Sequence, residues 1–278
     1  MLGATLLAIG AAFLHAGWNF AVKQPVSGPL ADRWHALWGQ FFVAGIGCAV
    51  LVFALGGVPA RAWVWAAISG ITHVAYVSFL AKAYDLGDFS VSYPIARGSG
   101  AMLAAVGGVI ALNDSLTSLN IIGIAICGVG LWMIADPSDS THVRAALAVA
   151  LSIGIYSVVD SHGSRSVGGN LYPLTTFVAC AVFTSLHGIA IGRTSSMVAT
   201  LQLRWRRLVI AGSASVLTYW MVLIAVQRAS VGYVTALRES SVVIAAIVGV
   251  VFLKEPNARR RITAACIALV GLAILVAG

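Results

Sequence analysis

Residues 97–134 read RGSGAMLAAVGGVIALNDSLTSLNIIGIAICGVGLWMI, and residues 238–275 read RESSVVIAAIVGVVFLKEPNARRRITAACIALVGLAIL. At this offset of 141, twelve of 38 positions are identical, among them Arg97/Arg238, Gly108/Gly249 and Gly130/Gly271. Matches of Ala, Val and Leu come free in an apolar chain. The paired arginines, and the acids Asp114 and Glu255 that also coincide, do not. Upstream, Gly17–Phe20 falls on Gly154–Ser157 at a slightly smaller offset. The chain therefore divides into two related halves, 1–140 and 141–278.

The medium around these halves follows from composition. Of 278 residues, 60% are hydrophobic and 9% charged, with a mean hydropathy of +0.95. A soluble domain is about 25% charged, so the solvent for this chain is lipid. The net charge of +8 does not point to nucleic acid, because the basic residues sit in short loops between apolar runs. Cys48, Cys127, Cys180 and Cys266 lie within apolar runs at no metal-type spacing and read as packing residues. Neither a cofactor motif nor a metal motif occurs.

A bilayer core takes about 20 apolar residues per helix. Cutting at charges, Pro and Gly gives ten spans, at 3–22, 34–55, 62–82, 89–112, 118–135, 143–160, 171–192, 207–227, 231–253 and 261–277. The first has no basic n-region and reads as a membrane span rather than a cleaved leader. Alternate loops carry Arg61, Arg165 and Arg228 on one side and twelve Lys or Arg on the other. The positive-inside rule then sets the twelve in the cytoplasm and both termini outside. Five spans per half is an odd number, so the second half enters the membrane upside down. The expected fold is an all-α integral membrane protein of ten transmembrane helices in two inverted five-helix repeats around a central cavity. Such repeats place a substrate site near the bilayer midplane and permit alternating access.

Arg97 lies eight residues into the fourth span, and Arg238 holds the matching place in the ninth. A charge at a helix centre costs about 2.5–3.5 kcal/mol, so each must face a partner or a cavity. Two arginines facing one cavity suit an anionic or zwitterionic ligand. Glu239 reads as the only acid well inside a span, placed to neutralise an arginine or to carry a proton. Pro94, Gly98 and Gly100 around Arg97 suggest a locally opened helix lining that cavity. Further candidates follow from spacing. His15 and Asn19 share a face at i, i+4, as do His73 and Tyr76 at i, i+3. Tyr93 is one turn before Arg97, Tyr156 matches Asn19 in the repeat, and Tyr219 sits in the middle of the eighth span. For all of these the plainer role is an interhelical hydrogen bond. Gly123, Gly128 and Gly130 in the fifth span, and Ala264, Ala268 and Gly271 in the tenth, form close-packing faces for a homodimer or for the joint between halves.

With LHAGWNFAVK at Leu14–Lys23, two five-span halves, and acids at the span ends in ALNDSLT and FLKEPNA, the chain resembles EamA-type members of the drug/metabolite transporter superfamily. The resemblance implies the ten-helix inverted-repeat fold, a cavity lined by spans 1, 3, 4, 6, 8 and 9, and export or exchange of small metabolites. Asp114 and Ser115 stand where that pattern has Glu-Pro, which suggests an altered loop cap. Family members generally keep both termini in the cytoplasm, whereas the charges here place them outside. The expected activity is secondary transport across an inner (plasma) membrane, with lipid and a small molecule as partners and coupling to a proton or counter-substrate. No Walker-type loop for ATP occurs. The rival from another class is an intramembrane lipid-phosphate hydrolase built on Arg97, Ser99 and Glu239. No nucleophile–base set at credible spacing supports it, and the chain is not expected to be an enzyme.

Overall fold

A computed structural model describes residues 2–22, 33–86, 89–134, 140–242 and 258–278. These form helices α1 (Leu2–Val22), α2 (Arg33–Ala54), α3 (Ala60–Leu86), α4 (Phe89–Leu112), α5 (Ser118–Ile134), α6 (Ser140–Val167), α7 (Tyr172–Ala190), α8 (Thr194–Ala225), α9 (Val231–Arg238) and α10 (Ala258–Ala277). There is no strand among the described residues. Six of the helices, α2, α3, α4, α6, α7 and α8, contain segments long and apolar enough to cross a membrane. Shorter apolar segments occupy Leu2–His15, Ser118–Met133 and Ile262–Ala277. Large apolar side chains such as Phe13, Phe53, Ile110 and Leu203 point outward and are 61–76% exposed. Only hydrocarbon tolerates that surface on every side, and helices satisfy their own backbone there. The protein is a multi-pass membrane protein.

Several boundaries differ from those expected at charges. α6 runs seven residues past its predicted end, through Asp160 to Val167, where Gly168 and Gly169 turn the chain at φ 71° and 69°. α8 begins at Thr194 rather than at 207, so Arg204, Arg206 and Arg207 ride on a helix instead of a loop. Its 32 residues reach about 48 Å, beyond the roughly 30 Å of hydrocarbon, which leaves these arginines at the interface end. α4 is continuous through Pro94, not opened as expected. The proline falls in its second turn and forgoes a single backbone bond. The ninth span was expected to reach residue 253; its helix is described to Arg238, with Ser240–Val242 also helical, and 243–257 lie outside the described residues.

The packing has a two-fold pattern. α4 lies on α6 as α9 lies on α1, α3 on α6 as α8 on α1, and α3 on α7 as α8 on α2. α2 with α7, α4 with α9, and α5 with α10 are pairs that map onto themselves when the halves exchange. Apolar burial alone does not drive helices together in lipid, so close van der Waals approach must. The α5–α10 joint shows how. A Cβ on Gly123 would lie 2.6 Å from the Leu275 backbone nitrogen, and one on Gly130 2.6 Å from that of Ala268. Gly271 makes the reciprocal approach to the Cys127 backbone. The small-residue faces expected to serve a dimer or the joint close on each other within one chain. Gly128 packs on Met102 of α4 instead.

Because the obstacles are backbone atoms, Gly123→Ala and Gly271→Ala should each destabilise the detergent-solubilised protein by about 1–3 kcal/mol, the usual cost of overpacking. Gly47→Ala, inside α2 with nothing within 4 Å, should keep or slightly raise the melting temperature, because Ala suits a helix interior better than Gly. Thermal unfolding followed by intrinsic fluorescence separates the three.

Candidate functional site

Arg97 sits where α4 is squeezed between α5 and α6. A Cβ on Gly98 would meet the Leu131 Cβ at 3.1 Å, and one on Gly100 would meet Ile153 Cγ2 at 2.8 Å. The glycines of RGSG thus allow close approach rather than an opened backbone. They bury Arg97 to 4% exposure. Its Nε donates to Glu239 Oε2 at 3.0 Å, and its Nη2 lies 2.8 Å from Oε1. One charge-assisted hydrogen bond and one close ion contact thus hold the guanidinium to the carboxylate. Glu239 is 1% exposed and joins the last turn of α9 to α4 across the two halves.

The neighbouring residue is not matched in this way. Arg238, 3% exposed, approaches Glu239 only at 3.8 Å through Nε. Its Nε and Nη2 have no hydrogen-bond partner among the described residues. Two guanidinium groups therefore meet one carboxylate. His15 of α1 lies within electrostatic range of both arginines, so α1, α4 and α9 converge here.

Tyr156 of α6 feels the charges of Arg238, Arg97 and Glu239 and leads away from them into a stack of rings. His73 lies face to face with Tyr156 at 4.4 Å and meets Tyr76 at 5.7 Å and Phe41 at 5.6 Å. Its Nδ1 donates to the Ser69 carbonyl at 2.9 Å. Tyr219 of α8 stands edge-on to Tyr156 at 6.2 Å and to Phe177 at 6.1 Å, and it packs against all three apolar clusters of the core. Of the sequence candidates, Arg97, Arg238, Glu239 and His15 form one group, and His73, Tyr76, Tyr156 and Tyr219 the adjoining one. The side chains of Asn19 and Tyr93 lie outside the described residues. Ser99 receives the Trp132 indole N–H at 3.2 Å.

Two features escaped sequence reasoning. Glu239 is not the only acid inside a helix, because Asp160 is 0% exposed in α6. A charge commonly ends a span, so the sequence pattern alone places a span end at this residue. The i, i+4 run Tyr156–Asp160–Ser164 on one face is the signal that points inward. The other feature is a clamp at the helix ends. Arg165 donates to Asp114 at 2.6 and 3.3 Å, and to the carbonyls of Val226 at 2.7 Å and Ala229 at 3.0 Å. Asp114 Oδ2 also accepts the first backbone N–H of α9, from Val231, at 2.7 Å. A carboxylate suits a helix N-terminus. Asp114 thus caps α9 from the other half, beyond the local loop cap its sequence position suggests.

Among known proteins, residues 142–277 match the model of the EamA-like transporter family. No curated protein matches the chain. Of 28 solved chains that match, one crystal structure has a TM-score of 0.75 at 17% identity, covering 99% of this chain and 97% of that one. That likeness concerns the fold.

Glu239→Gln should destabilise the protein by about 3–5 kcal/mol, because it strands a buried guanidinium. Adding Arg97→Gln should recover most of that loss in a double-mutant cycle. Additive losses in chemical denaturation would show that the pair is not coupled.

Proposed function

Because residues 142–277 match the model of the EamA-like transporter family, we propose that the chain is a secondary transporter of the drug/metabolite type that carries a small anionic or zwitterionic metabolite by alternating access. The observation that carries this reading is Arg238, a buried guanidinium with two nitrogens lacking hydrogen-bond partners among the described residues. A buried donor left unmet costs about 1–3 kcal/mol, and more when charged. A carboxylate, phosphate or phosphonate placed beside it removes that cost. Amino acids, organic acids and phosphonates have such groups.

Glu239 is the internal counterion. A substrate anion competes with it for the guanidinium groups, and the exchange changes what α9 holds on α4. The two-fold pairing of helices supports two inverted five-helix repeats, 1–140 and 141–278, that rock against each other. His15, His73, Tyr76, Tyr156 and Tyr219 are the side chains proposed to line a path from the arginines, and Asn19 and Tyr93, whose side chains lie outside the described residues, are proposed for it from the sequence alone. The charge asymmetry of the loops supports termini outside an inner (plasma) membrane. Export or exchange, as in the resembling family, is the direction of use.

A thermal-shift panel of amino acids, organic acids, phosphonates and cationic drugs tests the reading. Arg238→Gln is the informative variant, because it strands no partner. An anionic or zwitterionic compound at about 100 times its Kd should add roughly 2.7 kcal/mol to the wild type and little to Arg238→Gln. A response confined to cationic drugs, equal in both proteins, would make the arginines structural.

A further inference from the structure

The anion site leaves one buried charge unused. Asp160 is 0% exposed, and no cationic side chain among the described residues pairs with it. Its surroundings are hydroxyl groups from three other helices. The Tyr219 hydroxyl of α8 makes a short hydrogen bond to Oδ2, the Tyr172 hydroxyl of α7 donates to Oδ1 at 3.4 Å, and Ser69 of α3 lies within hydrogen-bonding reach. The other titratable groups nearby are Cys180 of α7, Tyr156 on α6 itself, and His73, which stacks on Tyr156. α4 brings no ionisable side chain to this level. Its Gly107 meets Val158, so Asp160 sits roughly 15 Å along the helix axis from Arg97. α9 brings Arg238 and Glu239, which reach Tyr156 and not Asp160. Arg165, on the following turns of α6, is committed to Asp114.

A lone carboxylate at membrane depth is costly as an anion, and hydroxyl donors offset only part of that cost. A proton removes the charge without needing a cavity. Glu239 is less suited to hold one, because both of its oxygens face Arg97. We propose that Asp160 is the proton-binding site of the transporter, loaded when its carboxylate takes a proton from water and emptied when it returns one. The chemistry of the site gives the step a mechanical effect. An ionised carboxylate accepts from all three hydroxyls, whereas a protonated one becomes a donor and has fewer acceptor sites. Loading Asp160 therefore loosens the grip of α6 on α3, α7 or α8. Tyr219 links that change to Tyr156 and so to the arginines.

The inference rests on the transporter reading for its purpose, but its test does not. Infrared difference spectra of the reconstituted protein, taken between neutral and acid pH, should show a protonated-carboxyl C=O band. The band should shift when the protein carries aspartate isotope-labelled at its carboxyl carbon, should vanish in Asp160→Asn, and should return in Asp160→Glu without the aspartate label shift. Labelling reads the wild-type protein, so the result survives a variant that folds poorly. A band that shifts with labelled glutamate instead, or that persists unchanged in folded Asp160→Asn, overturns the assignment. The anion response at Arg238, measured on the same preparations, reports separately on the transport reading: its loss with the carboxyl band intact would leave Asp160 a proton site in a protein of another kind.

Discussion

A guanidinium cannot stand unpaired in hydrocarbon, and this chain buries two beside one carboxylate. The ion pair between Arg97 and Glu239 fixes α4 against the end of α9, and the small residues around it let neighbouring helices approach that closely. The second arginine is left in excess. Arg97 is hydrogen-bonded to Glu239, whereas Arg238 approaches the same carboxylate only at 3.8 Å, and that asymmetry underlies the binding role proposed for Arg238.

The clamp at the helix ends makes the contrast plain. Arg165 uses its Nε and both terminal nitrogens, and Asp114 accepts from Arg165 and from the Val231 backbone. Each such bond to a charged group is worth about 1.5–3 kcal/mol. Nothing there is left for a ligand. Among the described residues, Arg238 has no hydrogen-bonded anion and Asp160 no paired cation. The aromatic stack lies between them.

Much of this was legible in the sequence. Apolar runs gave the spans because a bilayer demands a length, and Arg97 and Arg238 were found because a repeat places them at matching depth. His73 and Tyr76 were singled out by helical spacing, Tyr156 by the repeat and Tyr219 by its mid-span position. What stayed hidden was tertiary in origin. Asp160 was assigned to a helix end because sequence cannot show three hydroxyls arriving from other helices. Arg204–Arg207 read as loop because a helix may outrun the bilayer with no sequence mark. The Asp114 clamp joins residues 51 and 117 positions apart, a separation no local pattern reports. RGSG was misread for a subtler reason: glycine serves both broken helices and tight ones.

The separation of Arg97 from Glu239 by 142 positions has a consequence for biogenesis. Arg97 leaves the ribosome and enters the membrane while α6 to α9 are still unmade. Through that interval it must be held by water, lipid headgroups or the insertion machinery. The position in the first half that corresponds to Glu239 is Gly98, so the first half has no acid at the matching place. Maturation of the first half thus waits on synthesis of the second, and a nascent chain stalled before α9 presents quality control with an exposed intramembrane cation.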